Sequence, residues 1–359
     1  MKVVHVAQSV KGGVATYLSE VLSDQAFRYG NDRVLAVIPK GGREEVGLGS
    51  EYQCFEFSNV SRSITSLFSA AKSVVAAIDD FDPDIVHLHS TFAGLLRIPL
   101  FLRRKYKVVY CAHGWAFSQK VGILKKIIYG VVEKVLLCFT AKCINISFND
   151  AKEARQFFIS GEKVVTIPNG VTDIADYSES SRLELCSDRT LRLLFVGRFD
   201  RQKGVDRLIN VFEQYQNDAA RLTLIGASVV DSAGYDFSND PRIEYLGWLK
   251  RGDVINSLSH THALVIPSRW EGFGLVAIEA MRSGVAVICS DVGELPSIVQ
   301  NGRSGMVFSS EADLLGIFNN ASIDRLITMG LVGRSIYLEK YTAAIMNRKI
   351  ADVYESLMK

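Results

Sequence analysis

The chain has 359 residues, of which 48% are apolar and 22% are charged, and its net charge is +2. This length suggests two domains, and this composition excludes a disordered chain and a coiled coil. No apolar run approaches the roughly 18 residues that a membrane-spanning helix needs. The N-terminus lacks the long apolar core and the cleavage site of a secretory signal peptide, so we expect a cytoplasmic protein.

Short β-branched runs alternate with helical stretches, which predicts parallel sheets covered by helices on both faces. The predicted strands of the first half are 3–7, 34–38, 85–89, 108–111, 143–146 and 164–167, and those of the second half are 191–196, 221–225, 243–246, 263–266, 285–289 and 305–308. Residues 168–190 are polar and acidic and are interpreted as the linker. We therefore expect an α/β fold with two Rossmann-like domains, over residues 1–172 and 188–337, and a helical segment over 335–359.

The charge is unevenly distributed. Residues 1–170 carry a net charge of +6, and the remaining residues carry −4. The stretch from Arg97 to Lys142 contains ten basic residues, whereas Glu133 is its only acidic residue. Apolar residues interleave with them, a pattern typical of a helix that lies on an anionic membrane surface. The alternative is a core helix with a solvated basic face. No recognised nucleic-acid-binding module accompanies this stretch, so we expect no nucleic-acid partner.

Three glycine-containing turns suit an anionic ligand. Gly12 and Gly13 follow the first strand, a loop from Gly197 to Gly204 contains Arg198 and Lys203, and Glu271-Gly272-Phe273-Gly274 precedes a helical stretch. Glycines at a helix start let backbone N–H groups approach a phosphate. Arginine adds a bidentate clamp and lysine a mobile point charge. Each turn alone is weak, because ordinary βα turns also contain glycine and a charged loop can simply be solvated.

Two further patterns point away from other enzyme classes. Gly272 to Ala277 spells a dinucleotide fingerprint, but five residues separate it from the preceding strand, so nicotinamide binding is not favoured. Glu271 and Glu279 would lie about 12 Å apart along one uninterrupted helix. A glycosidase needs roughly 5–9.5 Å between its two carboxyls. The two carboxylates suit hydroxyls at the two ends of a nucleotide sugar, although Glu279 taken alone would by default be interpreted as a solvated helix residue.

Together, these motifs and the segment 167–171 resemble the retaining glycosyltransferases of family 4, which have the GT-B fold. Segments 84–90 and 112–117 resemble the bacterial surface-polysaccharide members of that family. The resemblance implies that the two sheets face each other across a cleft and that a closing helix, 338–359, crosses back to the first domain. It also implies that the N-terminal domain binds the acceptor and the C-terminal domain binds the nucleotide sugar.

The resemblance also implies residue roles. Arg198 and Lys203 would hold the donor diphosphate, Glu279 the ribose, and Glu271 the transferred sugar, with His113 nearby. These implied catalytic residues are Arg198, Lys203, Glu271 and His113. The remaining implied donor-binding residues act mainly through backbone: Gly12, Gly13, Gly197, Gly247, Gly272, Phe273, Gly274, Leu275 and Val276.

A cationic clamp needs no divalent metal, so we expect neither a metal nor another cofactor. Asp82-Pro83-Asp84 spells a metal-binding signature but is interpreted as a helix end. His87 and His89 are expected to point to opposite faces of their strand and so not to share a metal. Without the resemblance, His113 would be interpreted as a structural histidine. The six cysteines form no CxxC pair and are expected to be buried free thiols.

The resemblance implies retaining transfer from a nucleotide-diphosphate sugar, with UDP favoured and GDP the alternative. The acceptor would be a lipid-linked saccharide in O-antigen, capsule or exopolysaccharide synthesis, at the inner face of the plasma membrane. Two alternatives stay open. A nucleotide-sugar epimerase of the same shape would convert the donor without an acceptor, and a non-catalytic subunit would only bind it. The intact Arg198, Lys203, Glu271 and Glu279 argue against the last alternative.

Overall fold

The computed structural model describes residues 1–58, 64–103, 105–118, 121–187, 189–228 and 239–359. These form two compact units, the first from Met1–Thr172 with Ala343–Lys359 and the second from Asp173–Thr342. The described part of the chain contains no helix long and apolar enough to cross a bilayer.

The first unit is built on a seven-stranded parallel sheet. Its strands are β1 (Val3–Ala7), β2 (Val34–Pro39), β3 (Gln53–Phe57), β4 (Ile85–His89), β5 (Lys107–Cys111), β6 (Lys142–Asn145) and β7 (Val164–Thr166), in the order β3-β2-β1-β4-β5-β6-β7. Its helices are α1 (Gly13–Tyr29), α2 (Gly42–Val46), α3 (Ile64–Phe81), α4 (Ser90–Gly94), α5 (Arg97–Arg103), α6 (Ile123–Leu137) and α7 (Phe148–Gln156). The strand order reverses between β1 and β4, which is where ligands bind in open α/β sheets.

The second unit repeats this architecture with six parallel strands. They are β8 (Leu191–Val196), β9 (Ala220–Ile225), β10 (Ile243–Gly247), β11 (Ala263–Ile266), β12 (Ala286–Ser290) and β13 (Gly305–Phe308), in the order β10-β9-β8-β11-β12-β13. Its helices are α8 (Glu179–Glu184), α9 (Val205–Gln214), α10 (Arg251–Ser259), α11 (Leu275–Arg282), α12 (Leu295–Ile298), α13 (Glu311–Asn319) and α14 (Ile323–Lys340). The central strands are buried on both faces, as their continuous apolar runs require.

All twelve predicted strands are present, and the sequence pattern missed β3. That strand lies at the sheet edge, and three of its five residues are exposed, so it lacks the apolar run that marks a central strand. The predicted closing helix 335–359 is interrupted. The chain leaves helical conformation at Tyr341 and Thr342, and the Ala343 amide donates to the carbonyl of Val171 at 2.9 Å. The closing helix of the first unit is therefore α15 (Ala343–Met358).

Residues 173–187, which we placed in the linker, belong to the second unit. Arg182 explains why they fold there. Its guanidinium is buried and donates to the backbone carbonyls of Gly284, Ser259 and Thr261 at 3.2, 2.9 and 2.7 Å. A buried arginine is tolerable because its donors are satisfied.

Candidate active site

A glycine turn brings two loops of the second unit together. The loop after β8 ends at Gly204, which has φ 67° and begins α9. A Cβ atom at Gly204 would lie 2.3 Å from the carbonyl oxygen of Pro267. Only glycine fits that approach and that left-handed backbone. The loop that carries Lys203 therefore packs directly against the loop that follows β11.

This packing creates an ion pair. The Lys203 Nζ lies 2.6 Å from Oε2 of Glu271, and the two side chains are 20% and 10% exposed. The buried hydroxyl of Ser268 donates to the same carboxylate oxygen at 3.3 Å. A charge-assisted contact in such partial burial is stronger than a surface pair. Two residues that the sequence predicted separately thus form one polar centre.

Arg198 lies on the same loop and is more open to solvent. Its Nη2 lies 3.1 Å from Oδ2 of Asp200 and 3.1 Å from Oε1 of Gln202, and its side chain is 44% exposed. A surface pair of this kind contributes little, so a phosphate oxygen can replace the carboxylate at small cost. The loop therefore offers one partly buried cation and one solvent-exposed cation.

The Glu271 backbone is held from a second side. A Cβ atom at Gly293, which has φ 57°, would lie 1.9 Å from the Glu271 carbonyl oxygen. Gly274, three residues after Glu271, is the N-cap of α11. Phe273 is buried, and the centroid of its ring lies 6.1 Å from that of the Tyr341 ring. The first-turn amides of α11, including those of Leu275 and Val276, lack intrahelical acceptors and suit a phosphate.

Glu279 and Gly247 complete the predicted donor site of this unit. Glu279 lies one turn into α11, four residues after Leu275, and is half-buried. Gly247 ends β10 with φ 65°, and its carbonyl accepts from the Gly226 amide at 2.8 Å. The segments carrying these residues all follow the carboxyl ends of parallel strands, so they lie along one edge of the sheet.

In the first unit, the Gly12-Gly13 turn follows β1, and α1 begins at Gly13 with Gly12 as its N-cap. His113 follows β5 and has φ 54°, an uncommon conformation for a residue with a Cβ atom. Its ring is half-buried, and its Nε2 forms a hydrogen bond of 2.9 Å with Nδ1 of His89. Strained residues of this kind cluster at ligand sites. Burial lowers the pKa of His113 to about 3, so its imidazole is neutral at pH 7.

The expectation for His87 and His89 was wrong. Their ring centroids lie 4.2 Å apart, because residues two apart on a strand share a face. Ring nitrogens of His5, His87 and His89 all lie within 4.8 Å of one another, and the ligand atoms of His89, Cys111 and His113 form a second such group. These residues could geometrically hold a metal. Hydrogen bonds, however, already occupy several of their nitrogens.

Arg97 does not lie on the basic surface that the sequence suggested. It is buried, its Nη2 donates to Oε2 of Glu133 at 2.6 Å, and its guanidinium lies 3.8 Å from the centre of the Tyr110 ring. The only acidic residue of the basic stretch thus neutralises a core arginine. Arg104 and Lys120 of the same stretch lie outside the described residues.

Two smaller expectations can be compared with the structure. The Asp82-Pro83-Asp84 segment does end a helix, as expected: α3 stops at Phe81, Asp82 pairs with Lys105 at 2.7 Å, and Asp84 accepts from the Lys2 amide at 2.8 Å. All six cysteines are free. Three are buried as expected, but Cys138 is exposed and Cys54 and Cys186 are half-buried.

No role was predicted for Gln25, Tyr354 or Ser268. Gln25 and Tyr354 are buried beside the histidines of β1 and β4, and Ser268 contacts Glu271. The signal that could have found the first two is a histidine inside each of two apolar strands, since a buried polar group requires partners.

Two family models cover most of the chain. The model described as "Glycosyltransferase Family 4" matches residues 11–173, and that described as "Glycosyl transferases group 1" matches residues 178–316. The chain therefore belongs to glycosyltransferase family 4, and its two units have the architecture of the GT-B fold.

Two relatives and one solved structure illustrate what the chain is similar to. The chain is 32% identical to an "Uncharacterized 41.2 kDa protein in cps region" of Klebsiella pneumoniae, over 87% of each chain. It is 28% identical to the UDP-Gal:alpha-D-GlcNAc-diphosphoundecaprenol alpha-1,3-galactosyltransferase of Escherichia coli, over 67% of this chain and 65% of that protein. Among solved structures, the chain is similar to Anabaena HepE in complex with UDP and glucose, with a TM-score of 0.82 at 21% identity. The match covers 99% of this chain and 100% of the HepE chain.

Proposed function

We propose that this protein is a retaining, metal-independent glycosyltransferase that moves a sugar from a UDP-linked donor to a lipid-linked saccharide in bacterial surface-polysaccharide synthesis. The single observation that carries the proposal is the Lys203–Glu271 ion pair at the edge of the second sheet. It combines a cation for a phosphate with a carboxylate for sugar hydroxyls. We propose that this step belongs to O-antigen, capsule or exopolysaccharide synthesis.

The polar centre suits a nucleotide-diphosphate sugar. An ammonium group has three donors, so Lys203 can keep one on Glu271 and offer others to the leaving phosphate. Arg198 and the first-turn amides of α11 add further preorganised positive charge where negative charge develops, which replaces the role of a divalent ion. The UDP in the HepE structure and the UDP-Gal in the name of the E. coli relative support UDP over GDP.

Retention of the anomeric configuration is proposed from the family resemblance and from the contacts of the Glu271 carboxylate. Its carboxylate is engaged by Lys203 and Ser268, which suits an acceptor of sugar hydrogen bonds better than a covalent nucleophile. In a front-face reaction, the bond from the anomeric carbon to the phosphate oxygen breaks and the acceptor oxygen bonds on the same face. The acceptor proton goes to the leaving phosphate oxygen, so the protein needs no separate base.

The lipid-linked acceptor is supported by the surface of α6. Seven apolar residues form a stripe along this helix, each between 43% and 75% exposed: Ile123, Leu124, Ile127, Ile128, Val131, Val132 and Val135. Lys125 and Lys134 are exposed beside them. Such a helix lies in the plane of an anionic bilayer, with apolar side chains in the acyl boundary and lysines at phosphate level. We propose peripheral binding at the inner face of the plasma membrane.

A transfer assay tests the proposal. The protein is incubated with a polyprenyl-diphosphate saccharide and a panel of UDP-sugars and GDP-sugars, and the product linkage is assigned by NMR. We expect an acceptor-dependent product whose anomeric configuration matches that of the donor. An inverted linkage would overturn retention. Conversion of the donor sugar without acceptor would favour the epimerase, and donor binding without turnover would favour the non-catalytic subunit.

A further inference from the structure

Four histidines of the first unit lie on one hydrogen-bonded chain. His5 on β1 and His87 and His89 on β4 are fully buried, and His113 follows β5. The proposed chemistry of the second unit does not use this chain. Two buried side chains other than histidine, Gln25 on α1 and Tyr354 on α15, connect His5 to His87, so the chain ends at His87 and at His113. Every hydrogen bond in such a chain has a direction, which decides what its last member offers to a ligand.

Gln25 determines the direction. Its amide nitrogen donates to the Tyr354 hydroxyl at 3.4 Å, and its carbonyl oxygen lies 2.8 Å from Nε2 of His5. A carbonyl oxygen can only accept, so Nε2 of His5 donates to it. The Tyr354 hydroxyl, which accepts from Gln25, lies 2.6 Å from Nδ1 of His87 and can donate to it.

The rest of the chain follows from neutrality. Burial lowers the pKa of His5 to about 4, so His5 carries one proton, which lies on the Nε2 that faces Gln25. The His5 Nδ1 must then accept from Nε2 of His89, 2.9 Å away. Burial also holds the pKa of His89 well below its usual value, so Nδ1 of His89 accepts from Nε2 of His113 at 2.9 Å.

We propose that Gln25 and Tyr354 are positioning residues that fix the tautomer of His113 through His5 and His89, leaving Nδ1 of His113 as a bare acceptor for a hydroxyl of a saccharide ligand. The identity of that ligand rests on the proposed function, whereas the tautomer does not. A bare nitrogen attracts a hydroxyl, which can donate, and repels a phosphate oxygen, which can only accept. The closing helix α15 thereby acts on His113 through Tyr354 and Gln25.

The tautomer can be measured in the ligand-free protein. Histidine ring nitrogens are labelled with ¹⁵N, and the His113 signals are assigned by their loss in a His113→Asn variant. In the wild type at pH 7.5, we expect a protonated Nε2 and a non-protonated Nδ1. Gln25→Leu should populate both tautomers, because nothing then fixes the proton on His5.

Tyr354→Phe has a matched control in Tyr29→Phe. Tyr29 lies on α1, and its hydroxyl has no partner among the described residues. Both changes remove one phenol oxygen, but only Tyr354→Phe should alter the His113 signals. A protonated Nδ1 in the wild type, or a His113 tautomer that Gln25→Leu leaves unchanged, would overturn the proposal.

Kinetics test the ligand. Gln25→Leu should lower kcat/KM for transfer roughly three- to tenfold, the effect of one hydrogen bond. With a deoxy substrate that lacks the contacted hydroxyl, wild type and Gln25→Leu should turn over equally. A shifted tautomer with unchanged kinetics would overturn the sugar contact. The expected tautomer in a protein that transfers no sugar would overturn the proposed function and confirm the assignment for His113.

Discussion

Lys203 and Glu271 are 68 positions apart in sequence and form an ion pair of 2.6 Å between Nζ and Oε2. The pair exists because Gly204 lets the loop after β8 approach Pro267. Neither residue alone distinguishes a solvated loop from a ligand site. Their contact, partly buried at the carboxyl edge of the sheet, defines the centre on which the proposed transfer depends.

Lys203→Ala should lower kcat/KM by about two to three orders of magnitude, because it removes a charge that matters most as the phosphate leaves. The thermal midpoint should change little, since the pair is only partly buried. Steady-state kinetics and a melting curve measure both effects. Lys340→Ala, at an exposed lysine of the same unit, serves as the control. Turnover of Lys203→Ala within a few-fold of wild type would remove Lys203 from the site.

Transfer should persist in excess EDTA, because Lys203, Arg198 and the α11 amides supply the positive charge that a metal would otherwise provide. The measurement is the initial rate before and after chelation and after addition of Mg²⁺ or Mn²⁺. A lost rate that either ion restores would contradict metal independence. Asp82 and Asp84 would then need to be tested as ligands, despite their structural contacts.

Membrane binding should depend on the apolar stripe of α6 and its lysines. Ile123→Asp with Ile127→Asp, or Lys125→Glu with Lys126→Glu, should release the protein from anionic vesicles. Co-sedimentation at low and high salt measures the effect, and salt should weaken the lysine contribution first. Lys120, which belongs to the predicted basic stretch, lies outside the described residues.

The same variants separate docking from chemistry. Transfer to a lipid-linked acceptor should fall, whereas slow hydrolysis of the donor should not, since the second unit is unchanged. Phe27→Asp is the matched control, because Phe27 is 94% exposed on α1 of the same unit. Equal vesicle binding by wild type and both α6 variants would show that the stripe does not contact lipid.

Acid should destabilise the first unit. Below about pH 6.5, the unfolded chain protonates its histidines, whereas folded His5 resists protonation until about pH 4. The unfolded state then binds more protons, so the free energy of unfolding falls as pH decreases through this window. The expected loss approaches about 1.4 kcal/mol per pH unit for each such histidine.

Trp115 fluorescence can report on this unit once Trp248 and Trp270 of the second unit are changed to Phe. Urea unfolding at pH 7.5, 6 and 5 should show a falling midpoint. His5→Gln should reduce the slope with pH, because one of the histidines that resist protonation is gone. A midpoint independent of pH down to 5 would show that these histidines are not buried in neutral form.

The sequence by itself determined the periodic parts of this protein. The apolar runs at 191–196 and 263–266 predicted buried parallel strands, since a strand covered on both faces must be apolar throughout. Glycines placed the helix starts at Gly13 and after Gly274, because they permit the backbone conformation that a tight turn requires.

Only the tertiary structure decided which side chains meet. Arg97 belongs to a basic stretch by sequence, yet it is buried against Glu133, and the exposed edge strand β3 left no apolar run to detect. The chain from Tyr354 through Gln25 to His5 joins residues up to 349 positions apart. A local sequence pattern indicates which residues of a helix or strand must be buried. The hydrogen-bond partner of a buried polar group depends instead on how elements distant in sequence pack together.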